Sequence, residues 1–417
     1  IRDRNVANDL FQLIYVFDMG NNHDKALGTA FDYLEYLGTS DMTPEELKSE
    51  FYRLACTFYV SPGNERTYVV LSGLNENMPA AVQLFEKLLA DAQVNKEAYT
   101  NMTSDILKAR SDAKLNQGQN FSRLMSFAMY GPKSPATNLL TEAELTNMNP
   151  QELVDRIHNQ NSYKHRILYY GPSSSKDLLA TINQYHQVPA ALKDIPAGNE
   201  YPYLETPVTK VLVAPYDAKQ IYMAQISNLD KKYDPAIEPI RALYDEYFGG
   251  GMNSIVFQEM RETRGLAYSA WASIMPPSYL KYPYVLRTQI ATQNDKMIDA
   301  VTTFNDIINN MPESEAAFKL AKDGLTNRLR TERIIKGDII WSYINAQDLG
   351  QNVDPRIKLY NDIQNMSLKD IVDFQKQWVK GRTYVYCILG DKKDLELDKL
   401  KAVGPIEELT QEQIFGY

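Results

Sequence analysis

The chain repeats one of its own segments, and that repeat constrains the fold more than any other feature of the sequence. Asn149-Pro-Gln-Glu152-Leu-Val-Asp opens a helical pattern that leads to Arg166-Ile-Leu-Tyr-Tyr-Gly171. Ser367-Leu-Lys-Asp370-Ile-Val-Asp opens another, which leads to Tyr384-Val-Tyr-Cys-Ile-Leu-Gly390. In each copy a capping side chain is followed three residues later by a carboxylate that can reach back to the exposed helix amides. In each, an apolar strand then closes on Gly at nearly the same distance. A duplicated domain accounts for this.

The elements between the echoes run in parallel order. Leu10 to Phe17 opens the first copy as a strand; Val208 to Val213 and Ile221 to Ile226 open the second. A helix follows in both. Thr43-Pro44-Glu45-Glu46 is a capping box with Pro at the first helical position, and Leu47, Phe51 and Leu54 share one face. Asp234-Pro235 opens the counterpart, which carries Ile237, Ile240, Leu243 and Tyr247, with Pro239 delaying its start. Two strands come next in each copy, Cys56 to Val60 with Thr67 to Leu71 and Leu266 to Ile274 with Tyr284 to Ile290. Long amphipathic helices follow near 80–92 and 96–114, then near 295–310 and 315–335. Between Gln187 and Pro207 repeated Pro and Gly break every period. The expected organisation is a first domain over 1–187, a linker over 188–206 and a second domain over 207–417. The fold class is α+β, each domain a mainly antiparallel sheet with helices on one face.

Composition narrows the function. A formal charge of −9 and a pI near 5.2 argue against a nucleic-acid partner, which needs a basic face, and against an anionic membrane surface. No apolar run approaches the ~20 residues of a bilayer span. The two cysteines, Cys56 and Cys387, each sit in an apolar stretch and read as small core residues. The start at Ile1 without Met reads as a segment of something longer.

Catalytic motifs are sparse. The four histidines, His23, His158, His165 and His186, form neither H-E-x-x-H nor H-x-x-E-H. His158 and His165 could approach one another at a helix-to-strand passage, and both read as half-exposed imidazoles. Gly171-Pro-Ser-Ser-Ser-Lys176 lacks the second Gly of a phosphate loop and reads as a strand exit with a serine cap. The segment Phe248-Gly-Gly-Gly-Met-Asn-Ser254-Ile-Val-Phe-Gln-Glu-Met-Arg261-Glu-Thr-Arg-Gly265-Leu-Ala-Tyr268-Ser says more. Asn253 or Ser254 caps a helix with Ile255, Val256 and Met260 on its buried face, and Gly265 suits the left-handed position that ends it. Arg261 and Tyr268 then converge at the helix–strand corner. By themselves the residues leave two readings, a donor pair or an ordinary arginine at a helix C-terminus beside a sheet tyrosine.

That segment resembles the pattern carried by the non-catalytic half of pitrilysin/insulinase-family peptidases, the inverted zincins, and the order of elements in both halves resembles the duplicated domain of mitochondrial processing peptidase. The resemblance implies a two-domain sheet-and-helix fold over the whole chain. In the catalytic half of such enzymes, H-x-x-E-H lies on the first long helix before a Gly-Thr pair, with a further Glu downstream. Aligned on Leu37-Gly38-Thr39, this sequence has Thr29, Asp32 and Tyr33 at the motif positions and Asp105 near the distal one. Thr, Tyr and one Asp do not make a zinc site, so the resemblance implies no cofactor in this chain and zinc in a partner half. It further implies that Arg261 and Tyr268 hold the substrate carbonyl and stabilise a developing oxyanion, with no catalytic residue in this chain alone.

The expected function is the peptide-clamping, non-catalytic half of a zinc metallopeptidase, inactive alone. Its partner is a catalytic half in the same polypeptide or a separate H-x-x-E-H subunit, with peptide as substrate. The competing readings are a peptidase-derived scaffold and a stand-alone peptide-binding module. Analogy with bacterial relatives suggests a periplasmic or otherwise exported protein and leaves a cytoplasmic location open.

Overall fold

The computed structural model describes all residues, Ile1–Tyr417. The chain folds into two compact units, each built around one sheet.

The first sheet has the order β1-β5-β2-β4-β3, from Arg2–Arg4 (β1), Leu10–Phe17 (β2), Cys56–Pro62 (β3), Thr67–Leu74 (β4) and His165–Gly171 (β5). All its pairings are antiparallel except β1 with β5. Alternation sets the register: Phe11, Leu13, Tyr15 and Phe17 point to one face. There they pack with Leu27, Phe31, Leu34, Phe85 and Leu88 of the helices Leu27–Leu34 and Met78–Asp91. Thr43 closes the expected capping box with Glu46 and starts the helix Pro44–Arg53. Ser174 caps the helix Ser175–Tyr185, as the serine run after Gly171 predicts.

The second sheet has the order β11-β6-β10-β7-β9-β8, from Lys210–Pro215 (β6), Gln220–Lys232 (β7), Ser269–Met275 (β8), Pro283–Gln293 (β9), Val385–Gly390 (β10) and Ile406–Glu408 (β11). The helix after β7 begins at Glu238 with Pro239 in its first turn, which is the delayed start that Pro239 predicts. The α+β expectation of two sheet-and-helix domains is borne out. The second sheet departs from it in one respect, being covered on both faces. Tyr386 and Ile388 of β10 join the large helix-side core, while Val385, Cys387 and Leu389 face the other way. There they meet Phe121, Leu124 and Met125 of the helix Gln117–Tyr130. Every residue of β10 is buried, and an apolar run with no polar alternation is what a strand covered twice requires.

The two units do not follow a single cut in the chain. Residues 112–137 pack with 201–333 and 343–417, and residues 334–342 pack with 1–111 and 138–200. In the first unit Trp341 meets Tyr68 edge-on at 5.0 Å. The echoed helix starts also differ in detail. Ser367 and Asp370 form the full box, whereas Asn149 accepts from the Gln151 amide and Pro150 holds the cap position.

Candidate functional site

The Gly-rich segment builds a corner in the second unit. A Cβ on Gly249 would stand 2.2 Å from the Ala272 carbonyl oxygen, so only Gly lets the end of the helix Glu238–Phe248 pass this close to β8. Ser254 then caps the short helix Ile255–Phe257, accepting from the Phe257 amide. The turn widens into a π-helix over Gln258–Thr263, a form concentrated at functional positions. Met260 is buried, which holds Arg261 on the outer side. Gly265, at φ +57°, reverses the chain, and its carbonyl accepts from Lys296 Nζ at 3.0 Å. Thr292 Oγ1 donates to the Leu266 carbonyl at 2.6 Å. The Tyr268 amide donates to the Ala291 carbonyl at 3.1 Å, fixing the residue beside β9.

Arg261 and Tyr268 do converge. The guanidinium lies over the Tyr268 ring at 5.4 Å and over the Phe257 ring at 5.0 Å. Its only carboxylate contact is Glu262, 3.6 Å from Nε and half-exposed, a weak pair. Tyr268 is 74% exposed, and its hydroxyl makes no hydrogen bond within the chain. The corner therefore presents a guanidinium and a phenol as donors toward solvent, brought together by cation–π contact.

The positions aligned with the zinc motif form a different arrangement. Tyr33 is fully buried; its hydroxyl donates to the Asn95 carbonyl at 2.6 Å and accepts from the Asn95 amide at 2.8 Å. It thereby fixes the start of the helix Lys96–Lys114, where Asn95 Oδ1 accepts from the Ala98 amide at 3.0 Å. Thr29 is half-buried, while Asp32 and Asp105 are exposed on their helices. A phenol engaged with backbone, a threonine and outward carboxylates do not fit a zinc ion.

The histidines need one correction. His158 and His165 do not pair: His158 Nε2 lies 3.1 Å from the Ala92 carbonyl, and His165 instead meets His186. Glu86 Oε1 is 2.7 Å from His186 Nδ1, and both side chains are buried. Asn161 Nδ2 donates to the other Glu86 oxygen at 2.8 Å. This network was not anticipated. Its one legible signal is a carboxylate at position 86 among Val82, Phe85, Leu88 and Leu89, inside a buried helical face.

The fold of two related sheet-and-helix units has counterparts among peptidase M16 inactive-domain proteins. Residues 167–325 match the family model described as the peptidase M16 inactive domain. A "non-peptidase homolog", YmxG of Helicobacter pylori, is 24% identical over 396 residues, covering 90% of this chain and 87% of its own. The fold is shared with a peptidase M16 inactive domain from Pseudomonas fluorescens, at TM-score 0.73 and 15% identity over 94% of this chain and 95% of that one. It is shared also with the periplasmic protease PqqL from Escherichia coli, at TM-score 0.71 and 14% identity over 93% of this chain. This chain spans 43% of the PqqL chain. The resemblance to the non-catalytic half of pitrilysin/insulinase-type peptidases, read from the sequence, is borne out. No helix is long and apolar enough to cross a membrane.

Proposed function

We propose that this chain is the peptide-clamping half of a zinc metallopeptidase and works with a separate half, in the same polypeptide or another subunit, that holds the zinc. The observation that carries this reading is the Arg261–Tyr268 pair. Two donors lie together and exposed, the guanidinium with only the weak Glu262 pair and the phenol with no acceptor in the chain. Leaving a tyrosine this exposed at a rigid Gly-built corner contributes little to stability, so its role is toward a ligand. Guanidinium and phenol together can hold a peptide carbonyl and strengthen those bonds as its oxygen gains charge. Zinc and the water it activates belong to the other half; this chain binds and orients. PqqL, which shares the fold, is a periplasmic protease, and an exported location for this chain follows by analogy.

The test is to combine the purified chain with an H-x-x-E-H half and follow peptide cleavage. Arg261→Ala should lower turnover ~10²-fold or more, the scale of losing one oxyanion donor. Unchanged turnover in an assembled Arg261→Ala enzyme would favour the scaffold reading.

A further inference from the structure

The second unit contains a cavity of about 600 Å³ between the helix Met297–Asn309, the start of β10 and the turn after the helix Leu397–Leu400. Its lining carries two cations, Arg382 and Lys399, beside the amides of Asn305 and Asn309 and the hydroxyls of Thr209 and Thr302. Arg382 is half-buried; its Nε donates to the Trp378 carbonyl at 3.1 Å, and both terminal nitrogens lack a partner. No carboxylate of the chain pairs with it. Lys399 stands at the rim, held only by an exposed pair with Glu396 at 2.7 Å, which is easily exchanged. Asn305 uses its Oδ1 to accept from Tyr386 and Gln225, which turns the amide nitrogen into an unused donor. Val301 and the ring of Tyr384 supply an apolar floor. No acidic side chain lines the cavity, in a chain whose net charge is −9.

We propose that this cavity binds an organic carboxylate, with the anion on Arg382 and Lys399 and an apolar body against Val301 and Tyr384. A half-buried guanidinium without a counter-ion is unfavourable, and a carboxylate matches its two parallel donors. The volume lies within the range of small-ligand sites. The same chemistry occurs in a free carboxylic acid and at the C-terminus of a peptide.

Calorimetric titration of the full chain separates these sources. The probes are N-acetyl-L-leucine, its amide, hexanoate and inorganic phosphate. Saturable binding of N-acetyl-L-leucine is expected, with none for the amide. Binding should weaken ~10-fold or more in Arg382→Gln, the scale of a lost charged hydrogen bond. Ala402→Phe, which fills the rim and keeps every charge, should abolish it; both variants must keep the wild-type melting temperature within a few degrees, and the second serves if the first does not. N-acetyl-L-leucine binding tighter than hexanoate identifies a peptide end, and the reverse identifies a free acid. Binding of phosphate alone, equal binding of the amide, no binding at all, or carboxylate binding undiminished in a folded variant would overturn the proposal.

Discussion

His165 and His186 approach Nε2 to Nε2 at 2.8 Å, and the contacts beyond each ring order the protons between them. His165 Nδ1 faces the Tyr163 carbonyl at 2.7 Å and must donate to it. A neutral His165 then accepts at Nε2, so His186 Nε2 carries a hydrogen. That leaves His186 Nδ1 facing Glu86 at 2.7 Å. A second proton on His165 breaks the chain, because two donors would then face each other. Burial holds His165 below the ordinary value of 6.5, and the neighbouring His186 adds to this. Since the unfolded chain takes up that proton first, stability should hold above pH ~6.5 and fall as pH drops toward the folded value. Thermal melts from pH 8 to 5 should show the decline, and His165→Gln should flatten it. An equally steep decline in that variant would place the titration elsewhere.

At the Arg261 corner, stacking and donation can be separated. Tyr268→Phe keeps the ring over the guanidinium and removes only the hydroxyl. In the assembled peptidase it should lower kcat by ~10²-fold or more with little change in KM, while Tyr268→Leu, which also frees Arg261, should fall further. Neither should move the melting temperature of the isolated chain by more than about a degree, since the side chain is largely exposed.

Arg241 holds the helix Glu238–Phe248 to β8, donating to Glu238 at 2.9 Å, Asp245 at 2.7 Å and the Ile274 carbonyl at 3.0 Å. Asp245, pushed up to about 6 by burial even with this partner, also accepts from the Ile274 amide at 2.9 Å. Arg241→Met should cost about 3–5 kcal/mol in urea unfolding at pH 7.5, since it leaves a buried charge unpaired. The deficit should shrink as pH falls from 7.5 toward 6, because Asp245 without Arg241 is raised further and takes up its proton in the variant before it does in the wild type. A deficit independent of pH would exclude the carboxylate as its source.

Tyr33→Phe removes both bonds to Asn95 while keeping the ring's edge-on contact with Tyr99 at 5.6 Å. A loss of about 1–3 kcal/mol is expected, with no change in zinc retention. If the phenol were a metal ligand, equilibrium dialysis would show the change instead.

The parts of this fold legible in the sequence are those that local chemistry decides. Thr43 with Glu46, Ser174 and Gly265 act within a few residues of themselves, and each does what its residue type requires. Alternation in β2 likewise gives its buried face. The apolar pattern of Phe121, Leu124, Met125 and Ala128 predicts a helix but cannot say that it covers β10, far along the chain. The His165–His186–Glu86 network escaped for the same reason, because its members come from a strand, a helix end and another helix. Arg261 ends a helical segment and Tyr268 precedes the next strand, with Gly265 reversing the chain between them, so their meeting is legible from local spacing.

The exchanged segments also set an order of events during synthesis. The helix Gln117–Tyr130 leaves the ribosome before any strand of the sheet it covers, and β10, which lies directly beneath it, comes last but one. At ~5–20 residues per second that wait is on the order of 10–50 s. Through it, Phe121, Leu124 and Met125 lack the central strand of the surface that buries them, although β6 and β7 arrive earlier. A nascent chain of this design needs either a temporary cover for that helix or enough early solubility to keep it from sticking to its neighbours, and the acidic charge of the chain supplies the second.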